Sequence, residues 1–272
     1  MNLADVFTDA VELIRPHLLA VALVAARIAP ATLFCPLFGG QAAPNTVRLS
    51  LCLGLSLHAH FAGAVSPAPG TDADAFSVLG AFARELLCGA TIAFVASLPF
   101  DAARMGGRFL DTFRGANAEA SLPATGSREA ATGDLLYQLL CALVFAGPLY
   151  RMMATAVLGS FRLAPLGLAG SLGDTTVLVE VALARATSAL ATGLAIGAPA
   201  AAVALLVDAG LGVAARIAPS LNLASLGAPV KLLLGGSAIL FALGTVSNRL
   251  LAEAAEAANA VGILNAAIGG PR

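Results

Sequence analysis

The chain has 272 residues, 58% of them hydrophobic and only 11% charged, with a formal net charge of −1. Soluble domains carry about 25% charged residues, so an ordinary water-soluble globule is excluded, as are a disordered chain and a coiled coil, whose charge and heptad spacing are missing. A pI near 6.3 leaves no electrostatic footprint for nucleic acid, and a mean hydropathy of +0.88 points to an all-α, helical membrane or membrane-assembly protein.

Residues 1–15 carry Asp5, Asp9 and Glu12 and lack a positive start, which predicts an N-terminal helix retained on the mature protein. Six apolar segments follow, at about 17–38, 49–65, 82–100, 135–160, 181–207 and 229–250. None alternates like a strand and most are too long for one, so six long helices are expected, arranged as helical hairpins. Their lengths are uneven: 186–207 is charge-free and long enough for a bilayer, whereas 86–100 is short for a crossing. Arg27, Pro30, Arg151 and Pro199 fall near segment centres, where a charge facing lipid would cost a few kcal/mol. The helices are therefore expected to pack against protein more than lipid. Small residues four apart, Gly89/Ala93, Gly193/Gly197 and Ala198/Ala202, would allow close backbone approach.

The connecting stretches differ in kind. Residues 66–75 read as an acidic Pro/Gly turn region, and 101–134 form the longest polar stretch, cytoplasmic if its Arg residues are counted alone. The heptapeptide VAARIAP occurs at 24–30 and again at 213–219; Arg followed by Pro reads as a helix C-terminus. The expected organisation is one domain over 1–272, with N-terminal helices in 1–100, a polar segment in 101–134, C-terminal helices in 135–256 and a tail in 257–272.

Fourteen of the fifteen basic residues are Arg, which suits ion pairs in partly dry surroundings and also follows from a GC-rich coding sequence. Trp is absent and Tyr occurs only at 137 and 150, so aromatic belts at the headgroup level can hardly exist. Cys35, Cys52, Cys88 and Cys141 lie in apolar runs without a CxxC pair and read as small buried hydrophobes. Gly210–Ala215 fits GxGxxA but sits at the end of a long apolar helix, the wrong context for a dinucleotide. His58 and His60, two apart, point to different sides of a helix. No catalytic constellation, metal set or cofactor motif is found, so no catalytic residue, metal or cofactor is expected. Asp208, Arg216 and Lys231 bracket a hairpin turning near Leu221, between Pro219 and Pro229. There Asp208 and Lys231 either pair across the hairpin, or Lys231 and Arg216 face water at its tip.

The ordered set Arg27…Pro36-Leu-Phe-Gly39…Pro44…Arg48, Arg84-Glu85…Gly89, Gly107…Asp111…Arg114-Gly115-Ala116, Ser160-Phe161…Pro165-Leu-Gly167 and Pro199…Asp208…Gly212…Arg216…Pro219…Asn222…Pro229…Lys231 resembles a known family. It is similar to the inner-membrane export-gate subunit of type III secretion systems, called SctT in injectisomes and FliR in flagella. The run 111–116 looks more like the injectisome branch. The resemblance implies a non-enzymatic structural and gating subunit, without cofactor, of a helical, pore-containing complex. Its implied partners are SctR- and SctS-like gate subunits, an SctU-like switch subunit, the bacterial inner membrane and unfolded secreted proteins in transit; nucleic acid is not among them. Much of the complex would stand above the bilayer plane. A loop is implied to plug the closed channel, here Phe113, Arg114, Gly115, Ala116, Asn117, Pro123 and Gly126, whose glycines permit bends and whose proline stiffens. From the residues alone 113–127 also fits a plain solvated loop. Phe113 stands where many relatives have Gln. Arg27, Pro36, Pro44, Arg48, Arg84, Glu85, Asp208, Arg216, Pro219, Pro229 and Lys231 are the expected structural and assembly residues. The alternative is a secondary transporter or small-ion channel with a site in a broken helix near Gly193–Pro199.

Overall fold

Long apolar runs without strand alternation fold as helix because every backbone group can then be satisfied within its own segment. The computed structural model describes residues 3–40, 43–62, 75–114, 119–121, 128–164, 166, 174–217 and 224–269. Within them lie α1 (Leu3–Phe34), a 3-10 turn (Pro36–Phe38), α2 (Asn45–Phe61), α3 (Ala75–Arg114), β1 (Glu119–Ser121), β2 (Arg128–Ala130), α4 (Ala131–Ala146), α5 (Leu149–Leu163), α6 (Thr175–Ile217) and α7 (Ala224–Gly269). The class is all-α; β1 and β2 form only a short antiparallel ribbon, Glu119 opposite Ala130 and Ser121 opposite Arg128.

Four helices, α1, α3, α6 and α7, are long and apolar enough to cross a membrane, and α4 with α5 makes a fifth if that pair, bent by 83°, counts as one span. The expected segment 135–160 is therefore two helices. Gly147 and Pro148 break it: Pro lacks the N–H that would continue the ladder and disfavours helix at the residue before it, and the Gly147 N–H closes α4 on the Leu143 carbonyl at 3.1 Å.

Elsewhere the helices outrun their apolar runs. α3 continues to Arg114 through a stretch expected to be polar connection. Ala102, Ala103, Gly106, Gly107 and Leu110 give that stretch a buried face of mostly small residues. α7 runs through residues expected as a tail, again on small buried residues, Ala254, Ala257, Ala258, Ala260 and Val261. α1 likewise passes Pro30 and ends at Phe34, so the first VAARIAP is helix interior rather than a terminus. The second does close on α6, with Arg216 in the last turn; Pro219 lies outside the described residues.

The chain divides into two compact units, one of Met1–Ser97, Tyr150–Arg185 and Ala257–Arg272, the other of Leu98–Leu149 and Ala186–Glu256. In the first, Leu23, Val24 and Ile28 of α1 pack with Cys52 and Ala59 of α2, Phe161 of α5 and Leu166. In the second, Leu98 and Ala102 of α3 pack on Ala189 of α6. Close approach there depends on glycine: a Cβ on Gly106 would lie 2.9 Å from Ile196 Cβ, and one on Gly193 3.1 Å from the Ala102 carbonyl oxygen. Gly193 and Gly197 thus serve helix packing, and α6 runs unbroken through Pro199.

Candidate functional site

The first unit is organised on Arg27, 3% exposed, and Glu85, fully buried. Arg27 Nε lies 2.5 Å from Glu85 Oε2. Its Nη1 donates to the carbonyls of Ser160 (3.2 Å) and Ala164 (2.8 Å). Those carbonyls end α5, where orphan acceptors and the negative end of the helix dipole favour a cation. One guanidinium thus joins α1, α3 and α5, and its Cζ stands 4.8 Å from the centre of the Phe161 ring. Arg84 Nη1 reaches the other Glu85 oxygen at 3.3 Å. Gly89, one turn past Glu85, lets α3 touch α1: a Cβ there would collide with the Arg27 backbone. In the same unit burial pushes the Cys52 thiol above its usual range, and its Sγ sits 3.6 Å from the Ala25 carbonyl, as befits a structural cysteine.

Pro36, Pro44 and Arg48 shape the α1–α2 connection. Pro36 opens the 3-10 turn, and Gly39 (φ 117) and Gly40 (φ 56) follow in conformations that favour glycine. At Gly40 a Cβ would lie 2.9 Å from Pro36 Cα. Pro44 precedes α2 as its N-cap residue, and Arg48 Nε donates to the Ala43 carbonyl at 2.8 Å. His58 and His60 do diverge: His58 lines a cavity of about 270 Å³ with Thr155 and Arg162, while His60 Nε2 meets His17 Nδ1 of α1 at 3.0 Å.

In the second unit Lys231 Nζ lies 2.5 Å from Asp208 Oδ1, so α6 and α7 pair as the hairpin reading had it. Arg216 and Pro229 are exposed. The Asp208 side chain is 52% exposed, which limits the pair to about 0.2–1 kcal/mol. Lys231→Ala is therefore expected to shift the thermal unfolding midpoint of the chain only slightly. A large loss of assembled complex in that variant would instead mean that a partner buries the pair.

Of the expected plug residues, Phe113 stacks edge-to-face on Phe109, ring centres 4.8 Å apart, and Arg114 ends α3. Gly115, Ala116, Asn117, Pro123 and Gly126 lie outside the described residues. The anchor beneath them is Asp111, whose Oδ2 accepts from the Thr132 N–H at 3.0 Å and whose Oδ1 accepts from the Thr132 hydroxyl at 2.6 Å. An α3 carboxylate thus caps the start of α4. A turn earlier Gly107 abuts Gly133, leaving no room for a Cβ, and Arg104 Cζ stands 3.9 Å from the centre of the Tyr137 ring. Sequence reasoning placed Gly107 and Asp111 in the family pattern but missed their partners Thr132 and Gly133. A glycine four residues before Asp111 and the Thr132-Gly133 dipeptide are the local signal.

Residues 18–257 match the family model described as bacterial export proteins, family 1. The chain is 29% identical over 223 residues to the Yop proteins translocation protein T of Yersinia pestis and of Yersinia pseudotuberculosis, covering 81% of this chain and 84% of each relative. It is 25% identical over 215 residues to the flagellar biosynthetic protein FliR of Bacillus subtilis, covering 78% and 82%. The Arg27–Glu85 pair, the Asp111–Thr132 cap and the Asp208–Lys231 pair all fall within the matched span, and the chain belongs to the family of bacterial export proteins, family 1.

Proposed function

We propose that this chain is a non-enzymatic structural and gating subunit of a type III protein-export apparatus in the bacterial inner membrane. The observation that carries the reading is the family match across residues 18–257. Two physical features support it. Helices of 40, 43 and 46 residues extend about 60–70 Å at 1.5 Å per residue, twice the bilayer core, which favours helices that continue beyond the lipid. Of the most apolar stretch of α7, only 11% is buried within the chain. Phe241, Leu240 and Leu233 are 91%, 74% and 73% exposed, apolar side chains left for lipid or another chain to cover. Sibling gate subunits of the SctR and SctS kinds cover these faces, an SctU-like subunit controls entry, and unfolded secreted proteins pass through the pore they form. The higher identity to the Yersinia relatives favours the injectisome branch.

Residues 113–127 are the plug of the closed channel in this reading, and the Arg and Pro positions named above hold the subunit in register for its partners. Expressing the chain alone and together with SctR- and SctS-like gate subunits tests the proposal. Recovery of a defined complex is expected only with the partners. A monodisperse, stable monomer in detergent would overturn it.

A further inference from the structure

Among the buried ionised side chains, Arg27 and Glu85 neutralise one another and Asp111 caps a helix. Glu253 of α7 has no such counterpart among the described residues. It is 6% exposed, and its Oε2 accepts from Ser188 Oγ at 2.9 Å and from Thr192 Oγ1 at 3.0 Å. Ser188 and Thr192 are one turn apart on α6, so both hydroxyls stand on one face of that helix. Three oxygens from two apolar helices therefore converge at one buried point.

Hydroxyls donate hydrogen bonds but bring no net charge. The charged residues of this unit's helices whose side chains are described, with Arg185 just before it, are Asp208 and Arg216 on α6, Lys231, Arg249 and Glu256 on α7, Asp101, Arg104, Arg108 and Asp111 on α3, and Asp134 on α4. None of them hydrogen-bonds or ion-pairs with Glu253. A buried carboxylate without a cation is costly. Carboxylate and hydroxyl oxygens are the ligands hard cations take, and each hydroxyl keeps lone pairs free to turn toward one. A single carboxylate balances a single positive charge; a divalent ion would leave an excess.

We propose that Glu253, Ser188 and Thr192 form a binding site for a small monovalent cation, a sodium ion, that neutralises the carboxylate between α6 and α7. The site does not depend on the export reading, since it needs only these two helices. Occupancy changes the charge at this contact from −1 to zero, which couples the seating of α7 on α6 to the ion.

The test is carbodiimide labelling of membranes containing the full chain with its partners, read at Glu253 by mass spectrometry. Dicyclohexylcarbodiimide adds to a protonated carboxyl in an apolar setting, so a bound sodium ion blocks it. An adduct at Glu253, absent in Glu253→Gln, is expected. Slowing by sodium chloride but not by equal choline chloride is expected. In Ser188→Ala/Thr192→Ala the cation concentration giving half protection is expected to move by about tenfold, the scale of a hydrogen bond to a charged group. No adduct at Glu253 in an intact complex, an adduct insensitive to sodium, or an unmoved midpoint in the double variant would overturn the proposal.

Discussion

Glu85→Ala is expected to abolish the stable folded chain. Arg27 stays buried when its partner is removed, and a buried ion pair broken on one side costs about 3–5 kcal/mol, a large share of the 5–15 kcal/mol that holds a typical domain together. The loss reaches beyond one contact. The same guanidinium caps α5 through the Ser160 and Ala164 carbonyls, so α1, α3 and α5 lose their common point together. Glu85→Gln keeps the shape and one acceptor for Arg27 Nε and is expected to cost less, though the positive charge stays uncompensated. Replacing both partners, Arg27→Met with Glu85→Leu, removes the stranded charge and is expected to recover part of the loss. Recovery stays incomplete because the Ala164 carbonyl then lacks its Arg27 donor, while the Ser160 carbonyl keeps the Ala164 N–H. Thermal unfolding of the complex in detergent, with yield as a second reading, checks the order: wild type, double variant, Glu85→Gln, Glu85→Ala. A Glu85→Ala protein unfolding within about 0.5 kcal/mol of wild type would refute the assigned role of the pair.

How far this was legible beforehand follows from what a sequence encodes locally. Apolar runs without alternation give helix unambiguously, and Arg27, Glu85, Asp208 and Lys231 stand out because a charge in such surroundings needs a reason. What they pair with is another matter. Arg27 and Glu85 are 58 residues apart, and no periodicity joins them. Asp208 and Lys231 were connected in advance only because a hairpin of two helices brings sequence neighbours on either side of its turn into register. Hydropathy fails at helix ends for a related reason. The second half of α3 and the end of α7 are helical through small residues, Ala102, Gly106, Gly107, Ala257 and Ala258, which carry little hydropathy but let backbones approach. The break at Gly147–Pro148 was visible in the dipeptide and was overridden by the apolar run around it. Glu253 went unnoticed because its partners lie 61 and 65 residues away on α6.

The plug reading makes the second large prediction, and the anchor beneath the loop makes it separable from misfolding. Deleting residues 115–125 leaves α3 whole to Arg114 and α4 whole from Ala131. The Asp111–Thr132 bonds hold those helix ends together. Residues 126–130 then remain to bridge them, and five extended residues reach about 17 Å, more than a gap already closed by a 3.0 Å hydrogen bond three residues from Arg114 requires. Assembly with the partners is therefore expected to proceed as in wild type, while the membrane becomes leaky to small ions. Gly107→Val should do the opposite. Its Cβ would meet the backbone of Gly133, and backbone cannot yield as a flexible side chain can, so the ends of α3 and α4 must part and the yield of complex should fall. Ion flux and recovered complex, measured on the same preparations, keep the two effects apart. A deletion variant that assembles normally and leaks no more than wild type would remove the plug from this loop, since a segment that fills the pore cannot be cut out without opening it.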